Sequence, residues 1–225
     1  MFDSALTHSL AANYHDEMET FPIVAVASSA RDLEPVVEML SALPARAQQA
    51  FIIVQHLEPG RRYLPLNDAL AGRISHPVVV AQDGVTPERG HVYVMRADVE
   101  LTIINGLISV IPSIDALPHP GDRLLSSLAA DCGNRAIGIV LSGGGSDGAL
   151  GVRAINKSGG TTFAQYPGSA RFPGMPIGAI ETGCVRWVLR PNEIALELTR
   201  LSRLATHSEE PAPAVSVVRE LAIPG

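Results

Sequence analysis

Ile139-Val140-Leu141-Ser142-Gly143-Gly144-Gly145-Ser146-Asp147-Gly148 is an apolar run that stops at a glycine cluster and delivers one acid, Asp147. Three consecutive glycines let the backbone turn where side chains would clash, and they expose amide N–H groups. From Ala149 to Lys157 the spacing becomes helical. The stretch therefore reads as strand, tight turn, helix. Two roles fit it: an active-site turn, or a plain connection in which Asp147 caps the helix that follows.

Working outward, the same alternation recurs. Ile23 to Ala27, Phe51 to Val54, Pro77 to Val80, Ala136 to Leu141, Thr161 to Ala164 and Val185 to Leu189 read as strands. Leu33 to Leu40, Tyr63 to Ala71, Arg123 to Asp131, Ala149 to Lys157, Met175 to Glu181 and Pro191 to about Leu204 read as helices. Pro112 to Asp122 reads as a loop carrying His119. A different texture interrupts this pattern. Leu101 to Ile104 and Leu107 to Val110 are short strands separated by Asn105-Gly106, a strong hairpin signal. The expected fold is α/β: a doubly wound, mostly parallel sheet with helices on both faces and an inserted antiparallel β-hairpin. Residues 1–20 read as a leader, with a short helix around Ala5–Tyr14 as one option. Residues 21–205 read as one domain, and 206–225 as a proline-containing tail.

At 225 residues the chain can bury one substantial core. With 46% hydrophobic and 18% charged residues it is globular rather than disordered. A net charge of −6 argues against a nucleic-acid partner, which needs concentrated Lys and Arg. Two cysteines, Cys132 and Cys184, imply no disulfide framework, so a reducing cytoplasm is expected. They also lack the spacing of a metal site. No apolar run approaches a membrane span.

In open α/β sheets, ligands bind beyond the carboxyl ends of the strands. Ser28 and Ser29 follow the first strand, Gln55 and His56 the second, and Asp147 the strand quoted above. A hydroxyl, an imidazole and a carboxylate at one sheet edge are the parts of a hydrolytic triad. The order Ser…His…Asp, without Gly-x-Ser-x-Gly around Ser29, points away from the α/β-hydrolases. Taken singly, each residue has a plainer role: Ser29 as a helix cap, His56 as a hydrogen-bonded structural residue. His91 and His119 are expected to be structural and solvated, respectively.

Several segments together resemble the catalytic domain of the CheB chemotaxis protein-glutamate methylesterases, most of all the version fused to receptor methyltransferases. These are Val24-Ala25-Val26-Ala27-Ser28-Ser29-Ala30, Val54-Gln55-His56-Leu57-Glu58-Pro59, Gly90-His91-Val92-Tyr93-Val94, Leu141 to Gly148, and Gly174-Met175-Pro176. The resemblance covers Phe21 to Leu201. It implies hydrolysis of glutamyl γ-methyl esters on the cytoplasmic helices of a chemoreceptor, and related enzymes also deamidate glutamines. Ser29 would be the nucleophile, His56 the base and Asp147 its orienting acid. Backbone amides of Ala30 and Gly144 would hold the oxyanion, and Arg31 and Met175 would line the substrate cleft. No metal or other cofactor is implied.

The chain departs from the family where Arg31-Asp32 replace a glycine pair after the nucleophile. A structural or occluding role is expected there, with Asp32 capping the next helix. The other option is that Arg31 engages substrate carboxylates. Leu117 to Asp122 also lacks the family's polar and basic residues. Many members carry an N-terminal phospho-receiver domain, and residues 1–20 are too few for one. Regulation is then expected to be absent or supplied by another protein. Two alternatives to an active esterase remain. One is a weakened, methylesterase-like binding module. The other takes the glycines as a phosphate cradle, but the chain lacks a P-loop ending and Gly-x-Gly-x-x-Gly after the first strand.

Overall fold

The structure, a computed structural model, describes residues 21–57, 65–112 and 119–206. The expected leader and most of the tail lie outside the described residues. Seven strands form one sheet: β1 (Ile23–Ser29), β2 (Ala50–His56), β3 (Val78–Val80), β4 (Val92–Val94), β7 (Ala136–Val140), β8 (Thr161–Gln165) and β9 (Trp187–Leu189). Their order is β3-β4-β2-β1-β7-β8-β9, and every neighbouring pair is parallel. The chain builds outward from β1 on one side, then returns to place β7 on the other. That reversal makes the crevice at the carboxyl ends of β1 and β7 the natural ligand site.

Six helices cover the sheet: α1 (Glu34–Ser41), α2 (Leu66–Leu70), α3 (Pro120–Cys132), α4 (Ala149–Lys157), α5 (Gly174–Glu181) and α6 (Pro191–Thr206). Strand alternation sorts the two faces. Val24, Val26, Phe51, Ile53, Ile137 and Ile139 meet α1, α2 and α6. Ala25, Ala27, Ile52, Val54 and Val140 meet α3, α4 and α5. Small alanines on the second face let α3 lie close to β1. Both faces are buried, which is why the strands read as continuous apolar runs rather than alternating ones.

The hairpin is present as β5 (Val99–Ile104) and β6 (Leu107–Pro112), antiparallel, with Ile104 opposite Leu107. Asn105 and Gly106 both take positive φ, 52° and 76°, as a two-residue type I′ turn requires. Leu101, Ile103 and Ile108 join the α3 side of the core.

The main change from the sequence reading concerns α3. The expected loop to Asp122 ends earlier, because Pro120 starts the helix and Gly121 and Asp122 form its first turn. Proline tolerates this position because its missing N–H would have no helical partner there. β1 and β2 are also longer than expected, so Ser29 and His56 end their strands rather than follow them.

Candidate active site

Ser29 and His56 are register partners across β1 and β2. Both lie on the α3 side of the sheet, in phase with Ala25, Ala27, Ile52 and Val54. Ser28 is out of phase and donates its hydroxyl to the Val54 carbonyl at 3.3 Å. Alternation thus selects Ser29 of the two serines. Its backbone is pinned twice. Ser29 N–H donates to the Ser142 carbonyl at 3.1 Å, and Ala30 N–H donates to the His56 carbonyl at 3.2 Å. Ser29 is recessed, with 2% exposure.

Asp147 is buried where the glycine-rich turn folds back onto α3. Its Oδ2 accepts from Gly121 N–H at 3.1 Å, and its Oδ1 from Asp122 N–H at 2.9 Å. Its Oδ2 also lies 3.4 Å from Nδ1 of His56. Asp147 therefore does cap a helix, but the helix is α3. Its own helix, α4, begins at Gly148 with φ 95° and no side-chain cap. The two amides at the start of α3 hold the carboxyl group facing the imidazole.

Close approach explains the key glycines. A Cβ on Gly121 would lie 2.6 Å from Cβ of Ala27 and 2.9 Å from Oδ1 of Asp147. A Cβ on Gly143 would lie 2.0 Å from Sδ of Met175 and 3.1 Å from Cβ of Ser29. Met175 is buried, and its N–H donates to the Gly143 carbonyl at 2.8 Å. It packs against Gly143 behind Ser29.

The oxyanion expectation needs correction. The Ala30 amide continues the parallel ladder to His56 rather than opening to a ligand. The amide that donates to the Ser29 hydroxyl is that of Arg31, at 3.3 Å from Oγ. Gly144 is exposed at the mouth, with open space beside its Cα.

Arg31 and Asp32 sit in a tight turn closed by Asp32 N–H to the Ser29 carbonyl at 3.1 Å. Among the described non-glycine residues only Asn105 and His119 take positive φ, so this turn does not demand glycine. Asp32 is buried but does not cap α1. Leu33 occupies the cap position, with no side-chain hydrogen bond. The Arg31 guanidinium lies 4.2 Å from the Phe172 ring centroid.

His119 is exposed, in keeping with its reading as a solvated residue, but spacing did not show that it stands beside the site. It holds a left-handed backbone conformation, φ 70°, at the start of α3. Its ring centroid is 6.4 Å from that of His56. Its Nδ1 lies 3.9 Å from both Asp147 Oδ1 and Asp122 Oδ2. The only available signal was its place directly before Pro120. Asp122 accepts from Gly151 N–H at 3.0 Å. Burial, with the Asp147 charge nearby, raises its carboxyl above the ordinary value, against the pull of the Gly151 and Leu150 amides and His119. His119, Asp122 and Asp147 offer three ligand atoms within 4.8 Å, a spacing a metal ion could use. Asp147 is already engaged there with α3 and His56.

The structure thus sets a hydroxyl, an imidazole and a carboxylate at the switch point of a doubly wound α/β sheet, where open sheets bind ligands. The CheB methylesterase family model matches residues 24–198, and the chain belongs to that family. A protein-glutamate methylesterase/protein-glutamine glutaminase of Paramagnetospirillum magneticum is 31% identical over 183 residues, covering 80% of this chain and 51% of that one. One from Myxococcus xanthus is 34% identical over 164 residues, covering 71% and 45%. The chain thus spans about half the length of the curated relatives it matches. The Thermotoga maritima CheB methylesterase catalytic domain superposes with a TM-score of 0.69 at 26% identity, covering 81% of this chain and 99% of that one. Among the described residues no helix is long and apolar enough to cross a membrane.

Proposed function

We propose that the chain is a serine hydrolase that cleaves glutamyl γ-methyl esters, and deamidates glutamines, on the cytoplasmic helices of a chemoreceptor. The observation that carries this reading is the 3.4 Å approach of His56 Nδ1 to the buried Asp147 carboxylate, beside the register partner Ser29. With Nδ1 facing Asp147, Nε2 is the ring nitrogen left to accept the serine proton. Ser29 Oγ attacks the ester carbonyl while Nε2 takes its proton. The C–OCH₃ bond then breaks, and methanol leaves with that proton. Water, deprotonated by His56, attacks the acyl-enzyme and releases glutamate and Ser29. With glutamine the leaving group is ammonia.

The Arg31 amide, beside Ser29 Oγ, is our candidate oxyanion donor, and such a donor contributes roughly 3 kcal/mol. A recessed nucleophile suits a long, flexible glutamyl side chain better than a peptide bond in the main chain. Methanol release from methylated receptor tests the reading. Ser29→Ala is expected to lower it by at least about 10³-fold, and equal release by both proteins would overturn it. The 2% exposure of Ser29 favours the second reading, a binding module with a closed site. Failure of a serine-reactive phosphonate to label Ser29 would decide for that second reading.

A further inference from the structure

Behind the nucleophile, at the end of β8, a buried glutamine ties separate segments together. Gln165 has no exposed surface. Its Oε1 accepts from Ser142 N–H at 2.8 Å, and its Nε2 donates to the Ser169 carbonyl at 3.1 Å and to Ser169 Oγ at 3.2 Å. These partners fix its orientation, because a backbone N–H needs the amide oxygen and a carbonyl needs the amide nitrogen. An apolar side chain of the same size would leave the buried Ser142 N–H without an acceptor.

Ser142 passes the contact on in two directions. Its carbonyl accepts from Ser29 N–H at 3.1 Å. Its Oγ accepts from Phe172 N–H at 3.0 Å, and the adjacent Gly143 N–H donates to the Phe172 carbonyl at 2.8 Å. Ser169 and Phe172 both belong to residues 166–173, which lead from β8 to α5. Gln165 holds this segment near its start, and Ser142 holds it near its end. The paired register of β1 with β7 stops at Ala27 and Val140. Past that point Ser29 is tied to this side of the sheet through Ser142, and Ser142 is tied in turn to Gln165.

We propose that Gln165 is a positioning residue for the nucleophile: by clamping Ser142 and residues 166–173 together, it fixes the backbone of Ser29 in the place that attack on the ester requires. Enclosed as it is, Gln165 acts through Ser142 and does not touch substrate. The proposal deepens the hydrolase reading and rests on it.

The test starts with Gln165→Met, which keeps the length of the side chain and removes both contacts. On a peptide carrying one γ-methyl glutamate, kcat is expected to fall roughly 10- to 100-fold, the order of loss that a misplacement of about 1 Å causes. KM should stay within about twofold, because the groups that bind substrate are untouched. Gln165→Glu keeps an acceptor for Ser142 N–H and should turn over faster than Gln165→Met. Thermal melts check that the variants are folded at the assay temperature, and Gln165→Leu replaces Gln165→Met if the latter is not. Amide hydrogen exchange reads the clamp without turnover. Exchange at Ser29 and Ser142 is expected to rise about tenfold more in Gln165→Met than exchange at Ile52 and Ile53 of β2, which report wider opening. A kcat equal to that of the wild type, or exchange at Ser29 that rises no more than at Ile52, would overturn the proposal and leave the hydrolase standing. If the wild type releases no methanol while exchange at Ser29 rises locally, the clamp stands and the hydrolase reading falls.

Discussion

The exits of β7 and β1 leave the same sheet edge side by side, and both turn into helices, yet they are built from opposite materials. After β7 the chain uses Gly143, Gly144, Gly145 and Gly148. After β1 it uses Ala30, Arg31 and Asp32. The difference follows space, not motif. At Gly143 a methyl group would run into the buried Met175 side chain and crowd Ser29, so the side chains around it would have to shift. At Arg31 and Asp32 the backbone holds ordinary negative φ, and the Arg31 side chain points outward onto Phe172. A glycine pair can be lost from the open exit because nothing there requires it.

The largest effect expected at the crowded exit is from Asp147→Asn. It keeps the volume, but its amide group must face either a backbone N–H of α3 or His56. Turnover is expected to fall about 10³-fold or more through the lost imidazole partner. Stability is expected to fall by about 1–3 kcal/mol through a buried group left without its acceptor. Methanol release and a denaturant melt measure the two losses. A variant as stable as the wild type would show that Asp147 does not hold α3.

Next come the packing glycines. Gly143→Ala and Gly121→Ala are each expected to cost about 1–3 kcal/mol of stability by overpacking, read as a shift in denaturation midpoint. Unchanged midpoints would erase the contrast between the exits. The open exit should behave differently. Arg31→Gly with Asp32→Gly is expected to lower stability by only about 1–2 kcal/mol, through greater freedom of the unfolded chain. A gain would mean that the turn is strained after all.

The smallest effect concerns Asp122, beside Asp147 on α3. Its carboxyl is raised above 3.8 by burial first and by the Asp147 charge as well. A raised folded pKa means that its contribution to stability is fully present below 3.8 and is lost as pH rises through the folded value. Asp122→Asn is therefore expected to gain stability relative to the wild type as pH climbs from about 3 to about 7. A gap that stays constant with pH would remove Asp122 from the electrostatics of the site.

Much of this was legible before any coordinates. The strands announced themselves as apolar runs, and Asn105-Gly106 gave the hairpin. Ser29, His56 and Asp147 stood out as polar residues at strand ends. The start of α3 was not legible, because Pro120-Gly121 looks like a loop until Asp147 arrives to accept the N–H groups of Gly121 and Asp122. His119 was hidden for the same reason: its neighbours in the site come from distant segments. The Ala30 assignment was carried over from the family resemblance, and a resemblance does not say that β2 claims this amide through the His56 carbonyl.

The sequence by itself determined the layers and the chemical parts. Burial on both sheet faces requires apolar strands, and open sheets place their polar residues at the carboxyl edge. Only the tertiary structure decided how those parts meet. The register of β1 against β2 set Ser29 beside His56. The packing of α3 on alanine-lined β1 turned Asp147 into a cap for that helix and a partner for His56. Each of these depends on contacts between segments far apart in the chain, which local spacing does not encode.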